Sequence, residues 1–194
     1  MRSAYGGNPG RSASKEIRIS EHPVTIVVDV ANVMGSRPDG WWRDRAGAAV
    51  RLHGEIARLA ASGVVALPGE DEPADDAEPA DDATWIMVLE GAAKAAAARI
   101  RAAEDAEDAG DAGAAEDAGA AEDTEAAEDT EDAIAGRIRV VEARGSGDDT
   151  IVALARELTT RRVVVTADRE LADRCRAAGA TVLGPGWLLR LLGS

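Results

Sequence analysis

The sequence predicts an α/β fold, a three-layer Rossmann-like domain with a central parallel sheet and helices on both faces. Runs of mostly β-branched residues, such as residues 24–28, are continuous rather than alternating, which is typical of strands buried on both faces of a parallel sheet. Amphipathic helical patterns separate these runs, and such alternation indicates βαβ crossovers. The fold class follows from these two observations.

Five strands and five helical segments are predicted along the chain. The strands are expected at residues 24–28, 84–89, 138–142, 162–166 and 181–183, and the helices at residues 43–61, 92–103, 148–158, 168–178 and 185–192. Aromatic residues make up 3% of the chain and Phe is absent, so the core must consist of closely packed small and aliphatic side chains. We expect Trp85, Trp187 and Cys175 in that core, and His53 as a packing or surface residue.

Two acidic segments account for the net charge of -14. Residues 104–132 contain 14 acidic residues and residues 70–82 contain 8 more, and neither segment has a Lys or Arg. The rest of the chain has 14 acidic and 22 basic residues, so we expect a basic folded part. The predicted organisation is a disordered tail at 1–22 and one domain at 23–194, interrupted by acidic disordered loops at 69–83 and 103–133.

The compartment follows from cysteine usage and hydropathy. The single cysteine, Cys175, excludes an internal disulfide and favours a reducing environment. No apolar stretch approaches the roughly 18 residues of a membrane span, and residues 1–22 lack the apolar segment of a secretion signal. We therefore predict a cytoplasmic protein without a membrane partner.

Acidic residues follow three of the predicted strands. Asp29 ends the first, Asp148 and Asp149 lie beyond the third, and Asp168 comes just after the fourth. Because the carboxyl ends of parallel strands share one edge of a sheet, we expect these side chains to converge. Grouped carboxylates repel one another unless a cation neutralises them, and their hard oxygens suit Mg²⁺ or Mn²⁺. Such a site can activate water for phosphodiester hydrolysis.

Each acid also has a purely structural interpretation. Asp148, Asp149 and Asp168 lie in first helical turns, where a carboxylate caps backbone N–H groups. Asp29 is different, because no helix is predicted to start within ten residues of it, and this favours a functional role.

Two further polar residues lie near these acids in sequence. Asn32 follows Asp29 by three residues and either orients a metal-bound water or phosphate or forms a local turn. Glu90 ends the second strand and either joins the acids, pairs with a basic neighbour or faces solvent.

A loop rich in tryptophan and arginine lies between the first strand and the first predicted helix. Trp41 and Trp42 could stack an unpaired base while Arg37 and Arg43 hold phosphates, or the tryptophans could close the core. Arg144 precedes a Gly-Ser-Gly loop that either cradles a phosphate or is a flexible lead-in to a helix. These five residues are the candidate substrate-binding set.

Three motifs in order carry a resemblance to a known family. They are VDVANVM at 28–34, GDDTI at 147–151 and VTADREL at 165–171. Together they resemble the PIN-like nuclease superfamily, in particular its NYN branch, over most of residues 24–192 apart from the insertions. The resemblance implies a PIN-type fold and an acidic Mg²⁺/Mn²⁺ pocket that cleaves RNA.

The resemblance also assigns residues. It matches Asp29 and Asn32 to the first motif, Asp149 or Asp148 to the second, and Asp168 to the third. Asp173 either stands for a further acid that some members carry or is a surface residue.

The leading hypothesis is a metal-dependent endoribonuclease that acts on single-stranded or flexible RNA. Its expected catalytic residues are Asp29, Asn32, Asp149 and Asp168, and its expected metal ligands are Asp29, Asp148, Asp149 and Asp168. One alternative is a nucleotide phosphohydrolase or pyrophosphohydrolase that uses the same pocket. Another is a non-catalytic RNA-binding regulatory module whose acids serve only as caps.

Overall fold

The computed structural model describes residues 23–67, 78–81, 83–114 and 138–193. The strands within these ranges are β1 (Val24–Asp29), β2 (Val64–Leu67), β3 (Glu78–Asp81), β4 (Thr84–Leu89), β5 (Ile138–Glu142), β6 (Arg161–Val165) and β7 (Thr181–Leu183). The α-helices are α1 (Val30–Gly35), α2 (Arg45–Ala61), α3 (Ala95–Ala114), α4 (Gly147–Glu157), α5 (Arg169–Ala177) and α6 (Pro185–Leu191), with 3-10 turns at Trp41–Arg43 and Gly91–Lys94. None of the helices in these ranges has the length and apolar character needed to cross a bilayer.

Five parallel strands form the central sheet in the order β5-β4-β1-β6-β7. They are the five strands predicted from the sequence. The middle strand, β1, is buried along its whole length, which explains its continuous run of β-branched residues. The chain leaves β1 toward β4 and β5 and later returns to its other side through β6, so the direction of winding changes beside β1.

Helices cover both faces of this sheet. On one face α1, α2, α3 and α6 pack against side chains such as Ile26 and Val28. On the other face α4 and α5 pack against side chains such as Val27 and Val164. Alternate residues of one strand thus serve two separate cores, as the two-residue period of a strand requires. The predicted three-layer α/β fold is confirmed.

Three features differ from the prediction. Helix α1 begins directly after Asp29, where no helix was expected. Strands β2 and β3 form an antiparallel pair outside the main sheet, so part of the predicted loop at 69–83 is strand. Helix α3 continues to Ala114, well into the predicted loop at 103–133.

Physical reasons account for each difference. Asp29 caps α1, which stabilises even a six-residue helix. Buried Val65 and Leu67 hold β2 on the core. Alanine has the highest helix propensity, so the alanine-rich segment prolongs α3 once packing has nucleated it. The predicted tail at 1–22 and the rest of the two predicted loops lie outside the described residues.

Candidate functional site

Four carboxylates lie at the carboxyl edge of the sheet, around the middle strand. Asp29 is the last residue of β1, and Glu90 directly follows the neighbouring strand β4. Asp168 comes just after β6, the neighbour on the other side, and Asp148 lies in the first turn of α4. We call this set, Asp29, Glu90, Asp148 and Asp168, the acidic edge.

Asp29 is held by three hydrogen bonds in a nearly closed environment. Its side chain is 5% exposed. Oδ1 accepts the backbone N–H of Asn32 at 3.1 Å, and Oδ2 accepts the Asn32 amide at 2.6 Å and the Thr166 hydroxyl at 2.8 Å. Burial raises the pKa of Asp29 and the charge of Glu90 adds to the rise, while these hydrogen bonds act in the opposite direction.

The hydrogen bonds change the interpretation of Asp29. Because α1 starts immediately after it, Asp29 is the N-cap of that helix, and the expectation that no helix follows it is wrong. The side-chain amide of Asn32 donates to Asp29, so Asn32 fixes the carboxylate in place. Its expected role toward water or phosphate stays a prediction.

Asp148 is coupled to the other three acids. Its pKa is raised, first by burial and then by the charges of Asp29, Asp168 and Glu90, and Arg174 partly offsets this. Asp148 is thus the carboxylate on which the charges of the other three acids act. A repulsion of this kind favours a bound cation or a retained proton at the edge.

Asp149 is exposed and paired with an arginine. Its side chain is 72% exposed, and its Oδ1 accepts a hydrogen bond from Arg174 in an ion pair. Asp149 was expected to be the catalytic acid, whereas the charges of Asp29, Asp168 and Glu90 act on its neighbour Asp148. A sequence signal for this was available, because the residues three, four and seven positions after Asp148 are the buried residues of α4, Ile151, Val152 and Ala155.

Glu90 joins the acidic edge through the start of α4. Its Oε2 accepts the backbone N–H of Gly147 at 3.0 Å. A Cβ atom at position 147 would lie 2.7 Å from this oxygen, so only glycine allows the approach. Glu90 is exposed to solvent, as one alternative predicted, and its charge also acts on Asp29 and Asp148.

Asp168 combines a cap with a place at the edge. Its Oδ1 accepts the N–H of Leu171 at 2.8 Å, which makes it the N-cap of α5. Its own N–H donates to the Thr166 hydroxyl at 3.1 Å. Thr166 is buried and links Asp168 to Asp29, a contact that the sequence analysis missed because it joins residues 137 positions apart.

Asp173 is a surface residue. Its side chain is 79% exposed and pairs with Arg176 one turn later on α5. Of its two interpretations, the structure supports the surface one.

The chemistry of the acidic edge fits a divalent cation. Its donors are carboxylate oxygens, which suit Mg²⁺ and Mn²⁺. Within the described ranges no three His, Cys, Asp or Glu side chains stand together as ligands of one ion. Mg²⁺ is usually held by one or two carboxylates, with water and substrate phosphate completing its shell. The edge therefore fits an ion bound in that open manner, and the expected set of four aspartates around one ion is not formed.

The candidate substrate-binding residues differ in their exposure to solvent. Trp42 and Arg43 are exposed, and Trp41 is half-buried against the core. Arg144 is exposed in the loop between β5 and α4, at the acidic edge. The Arg37 side chain is 11% exposed and forms an ion pair with Glu55 at 2.5 Å. Its guanidinium is therefore already bound to an acid of the protein itself.

The remaining residues considered in the sequence analysis take structural positions. Trp85 and Trp187 are buried in the core that contains α2, and Cys175 is buried in the core beneath α5, as predicted. His53 packs on α2 with its Nε2 at 3.5 Å from Glu104.

A cavity of about 420 Å³ lies at the opposite edge of the sheet, where β6 and β7 begin. It is lined by Thr160, Arg161, Arg162, Gly179 and Thr181. It includes none of the four acids, so it is separate from the acidic edge.

The fold and the acidic edge define a three-layer α/β domain with grouped carboxylates at the carboxyl ends of its parallel strands. No protein-family model matches the chain, and no curated protein sequence does. Among solved structures, the chain is similar to Rae1 (YacP) from Bacillus subtilis, with 15% sequence identity and a TM-score of 0.49. The alignment covers 87% of this chain and 74% of that one. A similarity of this degree assigns no function to the chain.

Proposed function

We propose that the chain is a metal-dependent ribonuclease that hydrolyses internal phosphodiester bonds of RNA at the acidic edge, with Mg²⁺ or Mn²⁺ as its cofactor. One observation carries the proposal, the grouping of four carboxylates at the carboxyl edge of the sheet. The pKa values of Asp29 and Asp148 are both raised by burial and by neighbouring acids. Perturbed acids grouped at one edge are typical of functional sites.

The location of the group supports the same conclusion. In parallel α/β sheets, ligands bind beyond the carboxyl ends of the strands, where the direction of winding changes. Here that point lies beside β1, and Asp29 ends β1. The three motifs at 28–34, 147–151 and 165–171, which resemble PIN-like nucleases of the NYN branch, place their acids at this edge.

The residues of the edge have distinct proposed roles. Asp29 and Asp148 supply carboxylate oxygens to the cation, and Asp168 and Glu90 add negative charge beside them. A bound divalent ion would lower the pKa of water and neutralise charge on the phosphate. Asn32 and Thr166 keep the Asp29 carboxylate oriented, and Arg144 attracts the RNA backbone to the edge.

The test is RNA cleavage by the full chain and its Asp29→Asn variant in the presence of Mn²⁺. We expect the wild type to cut an internal position of a labelled single-stranded RNA and Asp29→Asn to lose activity by about 100-fold or more while keeping a native circular dichroism spectrum. Asp149→Asn is the matched control, because it removes an exposed carboxylate one residue from Asp148. Undiminished cleavage by Asp29→Asn would reject the assignment, and turnover of nucleoside triphosphates without RNA cleavage would favour a phosphohydrolase.

A further inference from the structure

The 3-10 turn Trp41–Arg43 presents an aromatic side chain to solvent. Trp42 is 57% exposed and is the one large hydrophobic side chain exposed in the described part of the chain. Trp41 supports it from below, with ring centroids 6.3 Å apart and an angle of 86° between the rings. We call Trp41, Trp42, Arg43 and Arg45 the tryptophan ledge.

The backbone holds this ledge in place. The N–H of Trp41 donates to Oδ1 of Asp39 at 3.0 Å, and the N–H of Arg43 donates to the carbonyl of Gly40 at 3.0 Å. Asp44, the next residue, caps α2 by accepting the N–H of Gly47 at 2.8 Å. The backbone on both sides of Trp42 is therefore held by hydrogen bonds, which reduces the entropy lost on binding.

The ledge carries positive charge beside its rings. The guanidinium of Arg43 lies 6.0 Å from the centre of the Trp42 ring, and that of Arg45 lies 5.3 Å from the Trp41 ring. Neither arginine forms an ion pair with an acid within the described ranges. The nearby Asp39 and Asp44 both accept backbone hydrogen bonds instead.

A Cβ atom at Gly35, the last residue of α1, would lie 3.8 Å from the Trp41 ring. The ledge therefore lies near the end of the helix that begins directly after Asp29. It directly precedes α2, which packs against α3 and against the turn Gly91–Lys94. That turn follows Glu90, and Asp44 at the start of α2 is 3.9 Å from Arg99 in the early part of α3. Helices α1 and α2 and the turn Gly91–Lys94 thus connect the ledge to the segments that follow Asp29 and Glu90.

We propose that Trp42 stacks on an unpaired base of single-stranded RNA while Arg43 and Arg45 contact the adjacent phosphates. An exposed indole with neighbouring guanidinium groups suits a base and its backbone, because every base has a flat π-face and every phosphate a negative charge. A duplex keeps its bases stacked internally and offers no such face. The proposal rests on the proposed ribonuclease function for the identity of the ligand as RNA, and it assigns the expected selection of single strands to Trp42.

The test is the binding of oligouridine of about a dozen nucleotides to the full chain in EDTA, which prevents cleavage, measured by fluorescence anisotropy. Stacking contributes about 1–3 kcal/mol per base, so Trp42→Ala should weaken binding by about 5- to 150-fold. Trp42→Phe should keep most of the affinity, because it retains an aromatic face. The duplex of oligouridine with oligoadenosine should bind more weakly than the single strand and should be insensitive to Trp42→Ala.

Charge is tested with a matched pair of exposed arginines. Arg43→Gln should weaken binding and reduce its dependence on salt concentration. Arg156→Gln, in the last turn of α4, should leave both unchanged.

Equal affinity of the wild type and Trp42→Ala for oligouridine would overturn the proposal and leave the ledge as a contact for a protein partner. Equal sensitivity of the duplex to Trp42→Ala would also overturn it.

The proposal for the ledge and the proposed ribonuclease function can be rejected independently of each other. Loss of binding in Trp42→Ala without RNA cleavage by the wild type supports the ledge and rejects the nuclease. RNA cleavage that depends on Asp29, together with oligouridine binding that Trp42→Ala does not change, supports the nuclease and rejects the ledge.

Discussion

The hydroxyl of Thr166 donates a hydrogen bond to Oδ2 of Asp29 at 2.8 Å and joins the chain just after β6 to the end of β1. The same hydroxyl accepts the N–H of Asp168 at 3.1 Å. A single buried side chain thus connects two of the acids at the edge. Neither acid can move far without breaking one of these bonds.

Replacing Thr166 by Val removes this connection while keeping the shape of the side chain. Asp29 loses a hydrogen bond that opposes the rise of its pKa, so we expect the pH profile of RNA cleavage to shift to higher pH. The free energy of unfolding should fall by about 1–3 kcal/mol. Thr160→Val is the matched control, because the Thr160 hydroxyl donates to Thr25 at 2.8 Å at the opposite edge. The control should lose stability without shifting the profile, and identical profiles for the two variants would contradict the expectation.

Adding a methyl group at Gly147 should disturb Glu90. The Cβ would lie 2.7 Å from Oε2, so the exposed Glu90 carboxylate must shift and lose its hydrogen bond from the N–H of Gly147. Gly147→Ala should therefore cost about 0.5–1.5 kcal/mol in urea unfolding. Gly145→Ala has no atom within 4 Å of its new Cβ and should be close to neutral. The cost of Gly147→Ala should shrink when Glu90 is also replaced by Ala, because the clash is then gone. An unchanged cost in that background would show that the contact is not what requires glycine.

Stability should depend on pH through Asp29. Its pKa is raised above its ordinary value of 3.8, so the folded chain holds this proton more tightly than the unfolded chain. The resulting stabilisation is fully present below 3.8 and is lost as the pH rises through the raised pKa. Urea unfolding across this pH range should therefore show the wild type losing stability relative to Asp29→Asn as the pH rises. A difference that is constant with pH, or that changes in the opposite direction, would contradict the raised pKa.

The main sheet was predictable because its strands have a strong local signal. The β-branched run at 24–28 is typical of a strand buried on both faces, and the helices between strands indicate the parallel direction. Helix α1 was not predictable in this way. It has six residues, three of them valine or methionine buried on the core, and its start depends on a cap that also ends a strand.

The location of the candidate site at the carboxyl edge of the sheet was predictable, but the contacts within the site were not. Strand ends locate Asp29 and Asp168, whereas the links through Thr166 and Gly147 join segments that are far apart in sequence. The choice between Asp148 and Asp149 depends on the rotation of α4, since adjacent helical residues point about 100° apart. That rotation follows from the buried residues of the helix, and capping patterns alone do not reveal it.

The central claim is that the acidic edge binds a divalent cation through Asp148 and not through its neighbour Asp149. The most direct measurement is calorimetric titration of Mn²⁺ into the wild type, Asp148→Asn and Asp149→Asn, all as full chains. The acidic segments at 70–82 and 104–132 contribute the same weak background to all three proteins, so the difference between the variants is the informative quantity. We predict a site of about one ion per chain in the wild type and Asp149→Asn, with affinity reduced about 10- to 100-fold in Asp148→Asn. No such site in the wild type, or equal loss in the two variants, would contradict the claim.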